Sequence, residues 1–146
     1  MGVNVFKLSK SSLRNLDGVH HELVDVVKLA IQITKVDFGV SDGYRTPEQQ
    51  NKLYRQGRSE PGDVITNIDG YDKKSNHQSG NAVDVFAYVD GKPSWDEHHL
   101  SMVACAMLEA AVRCGVNLRW GGLWSSNGKK KYGVEHGWDM PHFERV

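Results

Sequence analysis

Hydrophobic residues recur at helical spacing in two stretches of the chain. The first covers about residues 19–34 and the second about residues 97–113. Asp96 is placed to cap the start of the second helix, and Gly115 is placed to end it. The predicted apolar faces are Leu23, Val26, Val27, Ala30 and Ile31 in the first helix, and Leu100, Val103, Met107, Leu108 and Ala111 in the second.

A period of two residues, apolar alternating with polar or small, marks the strands. The predicted strands lie at about 36–40, 82–88, 116–120 and 139–146. Asp90-Gly91 is a turn signal directly after the second strand. Thr46-Pro47-Glu48-Gln49 has the form of a capping box, which predicts a third helix that stops at Gly57. Residues 58–75 and 121–137 are expected to be long loops.

Helices grouped around short strands that are not consecutive in the chain indicate an α+β fold. We expect a small, mainly antiparallel sheet backed by helices. The chain has 146 residues and no internal repeat or linker, so it is expected to form a single domain over residues 1–146.

Charge and hydropathy argue against several classes of partner. The formal net charge is zero, so neither a nucleic acid nor an anionic membrane is expected as the main partner. The chain has no apolar stretch long enough to cross a bilayer, and its N-terminus lacks the features of a secretory signal. We therefore expect a monomer that folds in a cytoplasm and does not associate stably with a membrane.

The two cysteines are expected to be reduced. Cys105 and Cys114 lie nine positions apart in one predicted helix, about 13 Å along its axis, which is too far for a disulfide. No His or second Cys stands at ligand spacing beside either one, so neither is expected to bind a metal.

Two separate segments carry residues suited to a metal. His77 lies just before the second strand and Asp84 within it, with Gly80 between them to allow a sharp turn. Asp84 shares a strand face with Ala82 and Phe86, opposite the apolar face that should form the core. A bound metal would offset the cost of a carboxylate there. Taken alone, Asp84 could equally accept backbone hydrogen bonds, and His77 could be an exposed loop residue.

The second segment is Asp139-Met140-Pro141-His142 near the C-terminus. His142 supplies a further imidazole, and the bend at Pro141 would let Asp139 lean over the metal's open position. Two histidines and one aspartate, with a spare carboxylate to take a proton from water, are the parts of a catalytic zinc site. The structural alternative for Asp139 is a salt bridge to a nearby lysine or arginine.

Four further residues are candidates for substrate contacts. Arg45 follows a strand and precedes a capped helix, where its guanidinium could bind a carboxylate or stabilise an oxyanion. Ser75 is a candidate hydrogen-bond donor to the substrate. His136 is a candidate substrate contact and the reserve metal ligand if His142 fails, and Trp138 is a candidate pocket wall beside Asp139.

These residues resemble a family motif. Ser75-x-His77-x-x-Gly80-x-Ala82-x-Asp84, followed by Asp139-x-x-His142, is similar to the pattern of the D-Ala-D-Ala carboxypeptidase family of zinc peptidases. Within it, the chain most resembles the bacteriophage L-alanyl-D-glutamate endopeptidases, which act as endolysins. Asp42 to Thr46 and Arg119 to Trp124 extend the resemblance, which covers the chain from about residue 5 onward.

The resemblance implies a function. Zinc would be held by His77, Asp84 and His142, with Asp139 as general base and Arg45 near the scissile carbonyl. The substrate would be the stem peptide of peptidoglycan, cut between L-alanine and D-glutamate during host lysis. The enzyme would leave the host cytoplasm for the periplasm through a membrane pore.

Two departures from the carboxypeptidase members favour this endopeptidase branch. Those members commonly have glutamate in place of Asp139 and tryptophan in place of Pro141. D-Ala-D-Ala carboxypeptidase activity remains the alternative. A third reading is a non-catalytic, zinc-stabilised wall-binding module in which His136 closes the metal site.

Overall fold

The structure, a computed structural model, describes residues 5–124 and 139–146. Helices and strands alternate irregularly along it. In chain order the elements are α1 (Lys10–Asn15), α2 (His21–Ile33), β1 (Phe38–Asp42), α3 (Pro47–Arg55), β2 (Ala82–Val89), β3 (Lys92–Ser94), α4 (Glu97–Cys114), β4 (Leu118–Trp120), a 3₁₀ turn (Gly121–Leu123) and β5 (His142–Arg145).

The strands form one antiparallel sheet with the order β1-β2-β5-β4, and the short β3 also pairs with β2. The α+β fold and the mainly antiparallel sheet are thus as predicted. Asp90 and Gly91 form the tight turn between β2 and β3, with φ angles of 53° and 76° that suit a two-residue hairpin.

One face of the sheet and the two long helices form the core. Val83, Val85 and Ala87 of β2 are fully buried there, as the alternation predicts, and so is Phe143 of β5. The whole predicted face of α2 is buried. The predicted face of α4 is buried except for Leu108, which is half-buried, and Ala110 is buried in addition. Since neighbouring residues on a strand point to opposite faces, Asp84, His142 and Glu144 lie on the other side of the sheet.

One predicted boundary was wrong, and two short elements were not predicted. The final strand begins at His142 rather than at residue 139, because Asp139 to Pro141 form a turn in which the His142 amide donates to the Asp139 carbonyl. Helix α1 and strand β3 were not predicted. Both are short and lack an apolar period; α1 is held to β1 by the buried Ser12 hydroxyl, which accepts from the Val40 amide.

A bulge interrupts the pairing of β1 with β2 beside the site. Val40 lies opposite Val85, but Asp42 lies opposite Asp84, so β1 has one extra residue, Ser41. Bulges of this kind re-aim side chains. This one pairs Asp42 with Asp84, and Arg45 contacts both carboxylates.

Other expectations can be compared directly. Cys105 and Cys114 are free, as predicted, and both are exposed. Within the described ranges no helix is long and apolar enough to cross a membrane. Helix α3 begins with the predicted capping box and ends at Arg55, shortly before Gly57.

Candidate metal centre

His77 is buried and held by the segment that follows β1. Its Nδ1 lies 2.7 Å from the Gly43 carbonyl oxygen, and its own carbonyl accepts from the Arg45 amide. A carbonyl oxygen only accepts, so Nδ1 carries the proton and Nε2 keeps a lone pair. That Nε2 faces Asp84 Oδ1 at 3.6 Å. Gly80, with φ of 75°, makes the turn that leads from His77 back into β2.

His142 faces the same carboxylate oxygen from β5. It pairs with Asp84 across β2 and β5, and its Nδ1 lies 3.1 Å from Asp84 Oδ1. Its other ring nitrogen, Nε2, lies 2.9 Å from Glu144 Oε1. The two histidines therefore present different ring nitrogens to the centre, Nε2 from His77 and Nδ1 from His142.

The cluster has the composition and size of a metal site. One ligand atom from each of His77, Asp84 and His142 lies within 4.8 Å of the others. Donors bound tetrahedrally to zinc at about 2.0–2.2 Å stand roughly 3.4 Å apart. Small inward shifts of the three side chains would bring their ligand atoms to this spacing. Both histidine rings are largely buried and each has its second nitrogen hydrogen-bonded, as metal-binding imidazoles usually do. The three side chains fit a divalent metal ion.

The electrostatics of the cluster suit a cation. Burial raises the pKa of Asp84, but the neighbouring rings of His142 and His77 outweigh burial and hold that pKa well below its usual range. Burial lowers the pKa of His142, yet its hydrogen bonds to Asp84 and Glu144 raise it to about 9. Without a metal, a proton on His142 supplies the positive charge that the carboxylates require.

Asp139 stands beside this cluster. Its Oδ2 lies 3.9 Å from His142 Nδ1, and its side chain is about one-third exposed. Burial and the nearby Asp84 charge raise its pKa, partly offset by His142, His77 and Arg45. A carboxyl group with a raised pKa is better able to accept a proton and then release it. Within the described residues, no lysine or arginine forms a salt bridge with Asp139.

Arg45 also reaches the cluster, although its guanidinium already has partners. Its Nε donates to Asp42 Oδ2 at 2.6 Å, Nη1 to Gln50 Oε1 at 3.0 Å and Nη2 to Asp84 Oδ2 at 3.4 Å. The arginine thus separates two carboxylates that the bulge sets opposite each other. Asp42 and Gln50 were not predicted as partners of Arg45.

A cleft of about 560 Å³ opens onto the centre. Residues 64–68 of the long loop form part of its wall, and Trp124 packs against the His142 ring with centroids 5.1 Å apart. Ser75 lines the cleft, and its Oγ accepts from the His77 amide. A larger groove of about 770 Å³ lies between α1 and α3, and Arg45 lines both cavities.

Two predicted substrate contacts lie outside the described residues, and one neighbour of His142 was not predicted. His136 and Trp138 lie outside the described residues. Glu144, two positions after His142, contacts that ring but was not identified from the sequence. The period of a strand would have placed both side chains on one face.

The whole chain is similar to known peptidases. Residues 4–146 match the family described as phage L-alanyl-D-glutamate peptidase. The L-alanyl-D-glutamate peptidase of Escherichia phage T5 is 30% identical over 143 residues, covering 97% of this chain and 98% of that protein. The peptidoglycan L-alanyl-D-glutamate endopeptidase CwlK of Bacillus subtilis (strain 168) is 28% identical over 128 residues, covering 84% of this chain and 68% of CwlK.

Solved structures agree with the fold. The L-Ala D-Glu endopeptidase ChiX of Serratia marcescens matches with a TM-score of 0.72 and 32% identity, covering 96% of this chain and 90% of ChiX. The vancomycin-resistance D,D-dipeptidase VanXYg matches with a TM-score of 0.55 and 18% identity, over 88% of this chain and 50% of its own. The second likeness concerns the fold alone.

Proposed function

The chain belongs to the phage L-alanyl-D-glutamate peptidase family, and from this premise we propose that residues 1–146 form one catalytic domain with a zinc ion on His77, Asp84 and His142. The protein is a peptidoglycan peptidase, and its substrate is the peptide portion of the bacterial wall. The convergence of these three side chains is the observation that carries the metal assignment.

The donor set favours zinc over other divalent metals. Two imidazoles and one carboxylate suit zinc, whereas calcium and magnesium prefer sets made of oxygen. Three protein ligands leave a position open, as catalytic rather than structural zinc sites do. When bound, zinc supplies a Lewis acid that polarises the scissile carbonyl and lowers the pKa of a coordinated water.

Asp139 is proposed as the general base. Its position 3.9 Å from His142 Nδ1 puts it within reach of a water and a peptide carbonyl beside the three ligands. It would accept a proton from the attacking water and give it to the nitrogen of the leaving amine. The result is one new carboxylate and one new amino terminus.

Arg45 and Ser75 are proposed to hold the substrate. Arg45 lies between the two cavities, where its guanidinium could exchange Asp42 or Gln50 for a substrate carboxylate or a developing oxyanion. Ser75 Oγ accepts one hydrogen bond from His77 and can still donate one into the cleft. His136 and Trp138 remain predicted substrate contacts.

We propose that the bond cleaved is L-Ala–D-Glu. The phage T5 relative, CwlK and ChiX all carry this specificity in their names. D-Ala-D-Ala carboxypeptidase activity is the alternative. The non-catalytic wall-binding module is disfavoured, because the relatives are named as peptidases and Asp139 lies beside the cluster, where it could act as a base.

We also propose that the protein acts as an endolysin. A monomer would accumulate in the host cytoplasm, reach the periplasm at lysis and cut the wall there, without stable attachment to membrane or nucleic acid. This proposal is supported by the phage origin of the T5 relative, which is named as an L-alanyl-D-glutamate peptidase.

One digestion distinguishes these specificities. Purified peptidoglycan is incubated with the zinc-loaded protein, and the new termini are identified by mass spectrometry. We expect a new D-glutamate amino terminus and a new L-alanine carboxyl terminus. Release of free D-alanine would instead support the carboxypeptidase, and intact peptidoglycan would reject the proposed activity.

A further inference from the structure

Glu144 is a buried carboxylate for which the proposed reaction has no use. Its side chain is 6% exposed and lies between a metal-site histidine and an arginine. Oε1 is 2.9 Å from His142 Nε2, while Oε2 accepts from Arg119 Nη2 at 2.8 Å and Nε at 3.2 Å. The Asn76 side chain also hydrogen-bonds to Glu144. Glu144 is not one of the three clustered ligands, because it contacts the far side of the His142 ring.

These contacts determine which ring nitrogen of His142 keeps its proton when a metal ion binds. An arginine is a permanent donor, so the glutamate facing it acts as a charged acceptor. An acceptor at 2.9 Å from Nε2 requires a proton on that nitrogen. Nδ1, which faces Asp84, is then the nitrogen at which a metal ion can replace the proton.

At His77 the main chain determines which ring nitrogen carries the proton. There the Gly43 carbonyl holds Nδ1 and leaves Nε2 for the centre, so the acceptor belongs to the backbone. At His142 the acceptor is the Glu144 side chain, and the orientation of that side chain depends in turn on Arg119. The two ligands are thus oriented by different means.

We propose that Glu144 is a positioning residue that selects Nδ1 of His142 as the metal-binding nitrogen, and that Arg119 orients Glu144 for this role. The inference rests on the proposed zinc site and adds two residues to it. Glu144 also lines the cleft, but the role proposed for both residues is exerted through the ring of His142.

Glu144→Gln tests the assignment because it keeps the shape of the side chain. Arg119 should hold the amide oxygen, which turns the amide NH₂ toward His142 Nε2. An NH₂ group only donates, so the imidazole proton moves to Nδ1, where it blocks metal binding. We expect zinc affinity, measured by competition with a fluorescent chelator, to fall about 10- to 100-fold.

The double variant Arg119→Ala with Glu144→Gln separates positioning from simple ion pairing. Without Arg119 the amide can rotate and offer its oxygen to Nε2, so zinc affinity should recover in part. Arg119→Ala alone keeps the carboxylate and should stay within a few-fold of the wild type. Glu109→Gln is the matched control, since Glu109 pairs with Arg113 on the exposed side of α4.

Two further readouts bear on the same claim. Ring ¹⁵N shifts of the zinc-loaded wild type should show His142 protonated at Nε2 and metal-bound at Nδ1. Circular dichroism melts of the metal-free variants show whether each is folded.

If the wild type binds zinc and folded Glu144→Gln binds it equally well, Glu144 has no positioning role. If the double variant shows no recovery, the part assigned to Arg119 is wrong. A wild type that binds no zinc would reject the proposed function instead.

Discussion

Asp84 and His142 lie directly opposite each other across β2 and β5, with His142 Nδ1 3.1 Å from Asp84 Oδ1. On the other face of the sheet, the neighbouring pair Val83 and Phe143 is fully buried in the core. A slip of one residue in this pairing would turn Phe143 out of the core and His142 into it. The packing of the core therefore also sets the register of the candidate metal site.

Asp139→Asn should separate catalysis from metal binding. The amide keeps the size of the side chain but cannot accept the proton, so hydrolysis should fall about 10²- to 10⁴-fold. Zinc affinity should change only a few-fold, because Asp139 is not among the clustered ligands. Release of new amino termini from peptidoglycan measures the first quantity, and chelator competition measures the second. Wild-type hydrolysis in this variant would remove Asp139 from the mechanism.

Arg45→Lys should lower activity even though lysine keeps the positive charge. The guanidinium bonds to Asp42, Gln50 and Asp84 at once, and a single ammonium group cannot reproduce that fork. We expect kcat/KM to fall at least tenfold, as measured on a soluble stem-peptide fragment. Arg113→Lys, in the exposed pair on α4, is the control and should be neutral. Equal kcat/KM values for the two variants would argue that Arg45 is only structural.

Gly121→Ala should disturb Asp139 from outside the site. A Cβ at Gly121 would lie 2.3 Å from the Asp139 carbonyl oxygen, which itself accepts from the His142 amide. The turn must therefore move, and a misplacement of about 1 Å can cost roughly 10²-fold in rate. The fall should appear in kcat on the same fragment. Gly91→Ala, where a Cβ would meet nothing within 4 Å but φ is +76°, strains the β2–β3 turn instead and should leave kcat unchanged.

Stability of the metal-free protein should decrease in mildly alkaline solution. The pKa of His142 is about 9 in the folded protein and 6.5 ordinarily, so between these values the folded state holds a proton that the unfolded state lacks. This stabilisation is complete below pH 6.5 and is lost as the pH rises through 9, by roughly 1–3 kcal/mol.

Denaturant unfolding across that pH range checks the prediction. Saturating zinc should remove most of this pH dependence, because the metal takes the place of the proton. A free energy of unfolding that stays constant or rises between pH 6.5 and 9 without metal would contradict it.

Part of this protein could be predicted from the sequence because the relevant signals are local. The buried faces of α2 and β2 follow from periods of 3.6 and 2 residues, and the start of α3 follows from its capping box. His77, Asp84 and His142 could be nominated together because few other roles suit that combination of side chains and spacings. The structure brings the three together, while their role as zinc ligands remains a prediction.

Other features depend on contacts between distant segments. Helix α1 has six residues and no apolar period, and Ser12 on it is held by β1, which is 28 positions further along the chain. The partners of Arg45 follow from a bulge that exists only when β1 pairs with β2. No local pattern encodes either contact.

The sequence by itself determined the chemistry that is available: two imidazoles, the carboxylates and the strands that bear them. Only the tertiary structure decided how that chemistry is presented. It set Nε2 of His77 and Nδ1 of His142 toward Asp84, and it placed Glu144 behind one ring and the Gly43 carbonyl behind the other. The physical reason is that the tautomer of an imidazole depends on the hydrogen-bond partner of its second nitrogen. That partner is brought into place by sheet register and loop packing, which the identity of the histidine does not specify.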